Sequence, residues 1–337
     1  MTDTTIARPA PVLAIHGGAG TLTRGAMNAE QEAQYRAALA DILRVGQAQL
    51  AAGASAVDVV VEAVRQLEEC ELFNAGKGAV YTSAGTHELD ACVMDGQGCR
   101  AGAVAGVSRT RNPILAARAV MDRSAHLLFV GAAADELAAS HGLEQVDPGW
   151  FGTPHRLEQL QRAKQLQAGV LRDHDGQELL RKEVSQQGRE AQGSGPIDEE
   201  TKFGTVGAVA LDAAGHLAAA TSTGGMTNKQ AGRVGDTPLV GAGTYANDAT
   251  VAVSCTGTGE LFIRACVAHD VSALMEYAGL TLAAACDRVV MQKLPADAGG
   301  LIAVAANGDI CLPFNSGGMY RGWARVGEAI EVAIYRT

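Results

Sequence analysis

The sequence predicts an α+β protein, and three observations carry that reading. Two helical stretches with capping residues lie in the first part of the chain. Short apolar runs of strand length, separated by Gly and Asn turns, dominate the part after Thr205. Glycine is abundant, at 41 residues of 337, so many tight turns and close backbone approaches are expected. The hydrophobic fraction of 47% is enough for a sizeable core. The aromatic fraction of 4% means that Ala, Val, Leu and Ile must build it. The length suits one large domain or two smaller ones.

In chain order, Pro11–Ile15 reads as a buried strand running into the glycine turn His16–Gly20. Such a turn can aim backbone N–H groups at an anion. Neither a G-x-S-x-G partner nor a Walker A or G-x-G-x-x-G pattern is present, so a shaping role is favoured over nucleotide binding. His16 is a possible ligand or base, but a packed, hydrogen-bonded histidine is the favoured reading. Asn28 caps a helix from about Ala29 to Leu50, and Ser55–Asp58 resembles a capping box opening a second that frays near Cys70. The loop Phe73–Val80 reads as a tight turn or as a cradle whose carbonyls hold an alkali cation.

Strands follow at His87–Met94 and Ala101–Val107. Asp90 lies inside an apolar strand pattern, so it is either outward-facing or paired. Helices are expected at Ile114–Met121, Ala132–Ser140 and Leu157–Leu166, with a strand at His126–Val130 between the first two. From about 171 to 203 the apolar pattern fades into a charged, Gln-rich run, which reads as a mobile surface linker. Strands at Thr205–Leu211 and His216–Ser222 then flank the turn Asp212–Gly215. A strand ends at Ser254–Glu260 and passes into a helix reaching about His269. A helix at Leu282–Leu294, a hairpin across Asn307–Gly308 and a last strand at Glu331–Tyr335 close the chain.

The net charge of −10 argues against a broad nucleic-acid or anionic-membrane surface. No apolar run reaches the ~20 residues that span a bilayer. The first ten residues lack a signal pattern and read as a short frayed leader. The seven cysteines form no C-x-x-C pair, so a disulfide framework or zinc site is not expected, and most should be buried small hydrophobes. A cytoplasmic protein is the expectation.

The chemistry centres on Lys202–Leu211, where the linker-like region meets an apolar run. Thr205 opens that run and Gly204 precedes it. A glycine leaves its carbonyl sterically open, so Thr205 Oγ can attack it, shift the chain from nitrogen to oxygen and release it by ester hydrolysis. The new N-terminal threonine carries nucleophile and base together, because an α-amine has a pKa of roughly 7.7–8.0. Gly-Thr-Val-Gly is equally an ordinary strand start. Arg233 offers a fork to a carboxylate and Asp236 an acceptor for an ammonium; a weak surface pair between the two is the alternative.

Together, the segments His16–Gly20, Phe73–Gly76, Gly204–Val209, Thr221–Gly225, Gly232–Asp236, Cys255–Gly259 and Met319–Trp323 resemble the plant-type asparaginases. These are also called isoaspartyl or β-aspartyl peptidases, and they are N-terminal nucleophile hydrolases. The resemblance spans Val12 to Trp323 and weakens in the linker. It implies a four-layer αββα sandwich, cleaved into an α subunit (1–204) and a β subunit (205–337) that form one domain and assemble as (αβ)2. It implies hydrolysis of L-asparagine and β-aspartyl peptides. Thr205 would be nucleophile and, through its amine, base, with Thr223 holding it. Thr256 and Gly257 would form the oxyanion hole. Arg233 would grip the substrate carboxylate, Asp236 its ammonium, and Gly259 would add backbone contacts. Asn74 would lie near the nucleophile. A structural sodium ion would sit on the carbonyls of Leu67, Glu68, Cys70, Phe73, Ala75 and Lys77, with no cofactor for catalysis. Lys77 is a mild departure, since its ammonium threatens to crowd that loop. A glycosylasparaginase-like hydrolase or a non-catalytic aspartate-binding protein are the alternative functions.

Overall fold

Alternation along each strand assigns its residues to two different cores. On β1 (Val12–Gly20), Leu13 and Ile15 face a layer of helices, while Val12 and Ala14 face a second sheet. On β5 (Val206–Leu211), Ala208 and Ala210 face the helices, and Val209 and Leu211 the second sheet. A period of two with both faces apolar is what a strand buried on both sides requires.

The computed structural model describes residues 8–22, 24–25, 27–169 and 204–336. The expected linker at 171–203 and most of the expected leader lie outside them. The larger sheet has the order β12-β11-β1-β5-β6-β2-β3-β4. It comprises β1, β5, β2 (Leu89–Asp95), β3 (Arg100–Val107), β4 (Leu128–Val130), β6 (Leu217–Thr223), β11 (Gly318–Arg325) and β12 (Glu331–Tyr335). Among the described strands only β3 and β4 pair in parallel. The smaller sheet, β10-β9-β8-β7, comprises β7 (Thr244–Ala246), β8 (Val251–Gly257), β9 (Gly299–Ala305) and β10 (Ile310–Cys311).

Helices α1 (Ala29–Ala51), α2 (Ala56–Glu69) and α3 (Pro113–Arg123) cover the outer face of the large sheet. Helices α4 (Gly131–Ser140) and α5 (Pro154–Gly169) follow at its β4 end and after it in the chain. On the far side, α6 (Gly259–Ala265), α7 (Val267–Ala278) and α8 (Leu282–Asp287) cover the small sheet. The result is the αββα order of layers, with one apolar core in each of its three gaps.

The caps explain where the helices start. Asn28 accepts from Gln31 N while Gln31 reaches back to Asn28 N, a full capping box. At α2, Ser55 accepts from Asp58 N, but Asp58 binds the Ser55 hydroxyl rather than its backbone. A cap of this kind contributes about 1 kcal/mol.

Four expectations need correction. The glycine segment at 17–20 is not a turn: β1 continues through it with a register shift between His16 and Gly18. The helix after Gly259 breaks at Cys266, whose φ is +49°, and restarts as α7. The helix beginning at Leu282 leaves α geometry at Arg288 and finishes as a π turn to Lys293. Only Cys92, Cys255 and Cys286 are buried; Cys99 and Cys266 are exposed.

Candidate active site

The site lies at one side of the two sheets, where β5 begins and β1, β6 and β8 end. Thr205 sits immediately before β5, buried, with its hydroxyl donating to Thr223 Oγ1 at 3.1 Å. Thr223, the last residue of β6, also accepts from Gly225 N at 2.9 Å. Antiparallel pairing of β5 with β6 brings the two threonines together, since Val206 lies opposite Ser222.

Asn74 closes this cluster from the loop after α2. Its backbone N–H donates to Gly204 O at 3.2 Å and its carbonyl accepts from Gly224 N at 3.0 Å. Its side-chain amide donates to Gly225 O at 2.6 Å and accepts from Val80 N at 2.9 Å. Asn74 therefore grips both sides of the Thr205–Thr223 pair. On the opposite side, His16 is fully buried, with Nδ1 3.0 Å from Thr205 O and Nε2 2.9 Å from Ser254 Oγ. This is the packed, hydrogen-bonded histidine that was favoured.

A second cluster is carried by the loop after β6 and the start of α6. Arg233 does not pair with Asp236. It makes a two-pronged bond to Glu260, Nε to Oε1 at 2.8 Å and Nη2 to Oε2 at 2.9 Å. Asp236 is buried, and its Oδ2 has no hydrogen-bond partner. Burial pushes the Asp236 carboxyl up to about 7, with the negative charge of Glu260 adding to the rise and Arg233 opposing it. A buried carboxylate oxygen without a partner is costly unless a donor arrives. A Cβ on Gly259 would stand 2.9 Å from Arg233 Nη2 and 3.0 Å from Asp236 Oδ1, so only a bare backbone fits between them. Thr256 and Gly257 end β8, and Thr256 Oγ1 accepts from Ala19 N at 3.2 Å. That bond leaves the Thr256 hydroxyl proton free to donate.

The loop at 67–77 has the oxygen-rich character that a hard cation needs. A Cβ on Gly76 would lie 2.4 Å from Glu68 O, and one on Gly78 would lie 2.5 Å from Glu71 O and 2.8 Å from Phe73 O. The glycines thus let the loop backbone pass close to these carbonyls, and Glu68 O accepts from Lys77 N at 2.7 Å. Lys77 does not crowd this loop. Its ammonium donates to Trp150 O at 2.9 Å and lies over the Trp150 ring.

The profile of the family described as Asparaginase matches residues 9–334. The chain belongs to this family. It is 59% identical over 327 residues to the isoaspartyl peptidase of Salmonella typhimurium, covering 96% of this chain and 98% of that one. It is 58% identical to the isoaspartyl peptidase of Escherichia coli, with 96% of each covered. A plant-type L-asparaginase of Pyrobaculum calidifontis is 38% identical over 94% of this chain and 97% of its own length. The four-layer arrangement described above is that of an asparaginase-family N-terminal nucleophile hydrolase.

Four polar side chains around the site received no role from sequence. Glu260 lies in the first turn of α6, next to Gly259. Ser254, Thr221 and Thr244 are buried hydroxyls between the sheets, and their only signal was a polar residue inside a strand pattern. Asp90, which sequence left between outward-facing and paired, is buried and accepts from Gly106 N at 2.8 Å. Among the described residues no helix is long and apolar enough to cross a membrane.

Proposed function

We propose that this chain cuts itself between Gly204 and Thr205 and then hydrolyses the side-chain amide of L-asparagine and β-aspartyl peptides, releasing L-aspartate. The observation that carries the proposal is the Thr205 hydroxyl on Thr223, beside a Gly204 carbonyl held by Asn74 N–H. Relatives named isoaspartyl peptidase, nearly full-length and close to 60% identical, support it.

In self-cleavage, Thr205 Oγ attacks the Gly204 carbonyl, and the bond to Asn74 N–H polarises it. The hydroxyl proton ends on the Thr205 nitrogen as the C–N bond breaks, the acyl group passes to oxygen, and water hydrolyses the ester. Before this step the Thr205 nitrogen is an amide and cannot act as a base. Afterwards it is an amine with a pKa of roughly 7.7–8.0 in its unperturbed state, suited to taking the hydroxyl proton.

The substrate α-carboxylate binds Arg233, whose fork is already aimed by Glu260. Its α-ammonium binds Asp236, supplying the donor that Oδ2 lacks. Gly259 contributes backbone close to both. Thr205 Oγ adds to the amide carbonyl, and Thr256 and Gly257 hold the resulting oxyanion. Loss of one such donor costs about 2.7–4 kcal/mol of barrier. Ammonia or an amino acid leaves, and water releases aspartate from the acyl-enzyme. The carbonyls of Leu67, Glu68, Cys70, Phe73, Ala75 and Lys77 would hold a sodium ion that fixes the loop carrying Asn74; the ion would be structural. An (αβ)2 assembly and a cytoplasmic location belong to the same proposal, and seven free thiols suit a reducing compartment.

The test is Thr205→Ala beside the wild-type chain. The wild type is expected to resolve into two polypeptides split at 204/205 and to release aspartate from a β-aspartyl dipeptide. Thr205→Ala is expected to stay whole and inactive while still binding aspartate. A wild-type chain that hydrolyses substrate with that bond intact would sink the proposal.

A further inference from the structure

A row of buried polar groups crosses between the two sheets behind the nucleophile. It begins at the Thr205 carbonyl, 3.0 Å from His16 Nδ1. His16 Nε2 lies 2.9 Å from Ser254 Oγ. Ser254 Oγ lies 2.7 Å from Thr221 Oγ1, which lies 2.7 Å from Thr244 Oγ1. Thr244 Oγ1 lies 3.1 Å from the carbonyl of Thr237, next to Asp236. His16, Ser254, Thr221 and Thr244 have no exposed surface.

Proton counting constrains this row. Both ends are carbonyl oxygens, which only accept. A neutral imidazole brings one N–H and each hydroxyl one O–H, so the histidine, serine and two threonines bring one proton each. Burial pushes His16 down to about 3, so no second ring proton is present near neutrality. Along the row the contacts exceed the protons by one; a further approach, Thr221 Oγ1 to the Gly243 carbonyl at 3.5 Å, is too long to claim a proton from it. The three inner contacts, all 2.9 Å or shorter, each need a proton between their heavy atoms. The unfilled contact therefore falls at one end, and all the protons point the same way.

The two ends are not equivalent. An imidazole nitrogen lone pair is fixed in the ring plane, so an unprotonated Nδ1 would aim it straight at the Thr205 oxygen. The Thr244 hydroxyl can rotate, and its proton can be shared between Thr221 and the Thr237 carbonyl. We propose that the protons run toward the nucleophile: Thr244 to Thr221, Thr221 to Ser254, Ser254 to His16 Nε2, and His16 Nδ1–H to the Thr205 carbonyl. Ser254, Thr221 and Thr244 are then positioning residues that act through His16.

A glycine in β5 supports this reading. Gly207 pairs with His16 on one side and Thr221 on the other. A Cβ there would stand 2.0 Å from Ser254 Oγ and 2.5 Å from His16 Nε2. The strand leaves a gap where the row passes over it. Chains of hydrogen bonds sharing one direction reinforce one another. The reinforced end fixes the Thr205 backbone, and with it the direction of Oγ1 and of the α-nitrogen.

The kinetic half of the test rests on the proposed hydrolase activity; the spectroscopic half does not. In full-length protein labelled with 15N-histidine, long-range 1H–15N correlation is expected to give His16 as the Nδ1–H tautomer. Ser254→Ala is expected to lower kcat by roughly tenfold, the scale of a buried hydrogen bond, with KM nearly unchanged. Ser254→Thr, which keeps the hydroxyl, is expected to restore most of it. An Nε2–H tautomer in the wild type overturns the inference, and so does a Ser254→Ala enzyme with unchanged kcat or with KM alone altered. If Ser254→Ala does not fold, the wild-type tautomer decides. A wild type inactive on β-aspartyl substrates defeats the function, whereas the tautomer still decides the proton direction.

Discussion

Gly204 and Asn74 are pressed backbone to backbone. Asn74 N–H donates to Gly204 O at 3.2 Å, and a Cβ on Gly204 would stand 2.3 Å from Asn74 Cβ. Gly204→Ala is therefore expected to push the scissile carbonyl off its donor. Overpacking of this kind costs about 1–3 kcal/mol, so self-cleavage should slow by roughly tenfold or more. Intact mass followed over time measures it, and an unchanged rate would contradict the assignment of Asn74 as the polarising group.

Thr223→Val removes the acceptor of the Thr205 hydroxyl while keeping the side-chain shape. Positioning by one such bond is lost, so kcat should fall by roughly ten- to a hundredfold. KM should stay within about twofold, because Thr223 is not among the groups that bind the substrate ends. Steady-state kinetics on a β-aspartyl dipeptide checks both numbers.

Asp236 links binding to pH. Its carboxyl, ordinarily near 3.8, is pushed up to about 7 in the free site. The substrate ammonium needs the ionised form, so kcat/KM should rise with pH through about 7. The stability linkage has the opposite sense. A carboxyl protonated in the fold and ionised in the unfolded chain stabilises fully below its unfolded value, and that stabilisation is lost as pH rises through about 7. Without substrate, Asp236→Asn should melt with a weaker decline between those values than the wild type. Glu260→Gln removes a charge that raises Asp236 and also releases Arg233. It should move the kcat/KM rise to lower pH and raise KM several-fold.

Glu68 is a second buried acid with a testable protonation state. It accepts from Ser222 Oγ at 2.7 Å and from Ile114 N at 2.9 Å, and burial pushes it up to about 8. Near neutrality it is a neutral acid, so Glu68→Gln should leave the melting temperature near neutral pH almost unchanged. Glu68→Ala leaves those donors unsatisfied and opens a cavity, and should cost about 2–4 kcal/mol. Chemical denaturation at pH 6 and pH 8.5 separates the two. The wild type should lose more stability across that interval than Glu68→Gln, in which the Asp236 contribution alone remains.

Much of the fold was legible because its signals are local. Asn28 and Ser55 announce their helices through capping, and the turn at Asp212–Gly215 announces the β5–β6 hairpin. The strand expected at about Glu331 to Tyr335 is present over Glu331–Tyr335. His16–Gly20 was misread because consecutive glycines look like a turn. They are strand because pairing with β11 continues across them, and Phe73 packs where a Cβ on Gly17 would stand, effects set by residues distant in sequence. The resemblance singled out Thr205, Thr223, Asn74, Arg233 and Asp236, and of these the structure joins Thr205 to Thr223 and Asn74 to Gly204 by hydrogen bonds. Glu260 and the Ser254–Thr221–Thr244 row were not, since a residue's partners across two sheets leave no trace in spacing.

The order of strands in the large sheet has a consequence for a chain cut after Gly204. The first product would own β1 and the block β2-β3-β4, and the second would own β12-β11 and the pair β5-β6. The two polypeptides would be interleaved like the fingers of clasped hands, joined along the seams β11/β1, β1/β5 and β6/β2. Neither piece can leave without unzipping the middle of the sheet. Scission would alter the chemistry at one nitrogen while the two fragments travel, and melt, as one body.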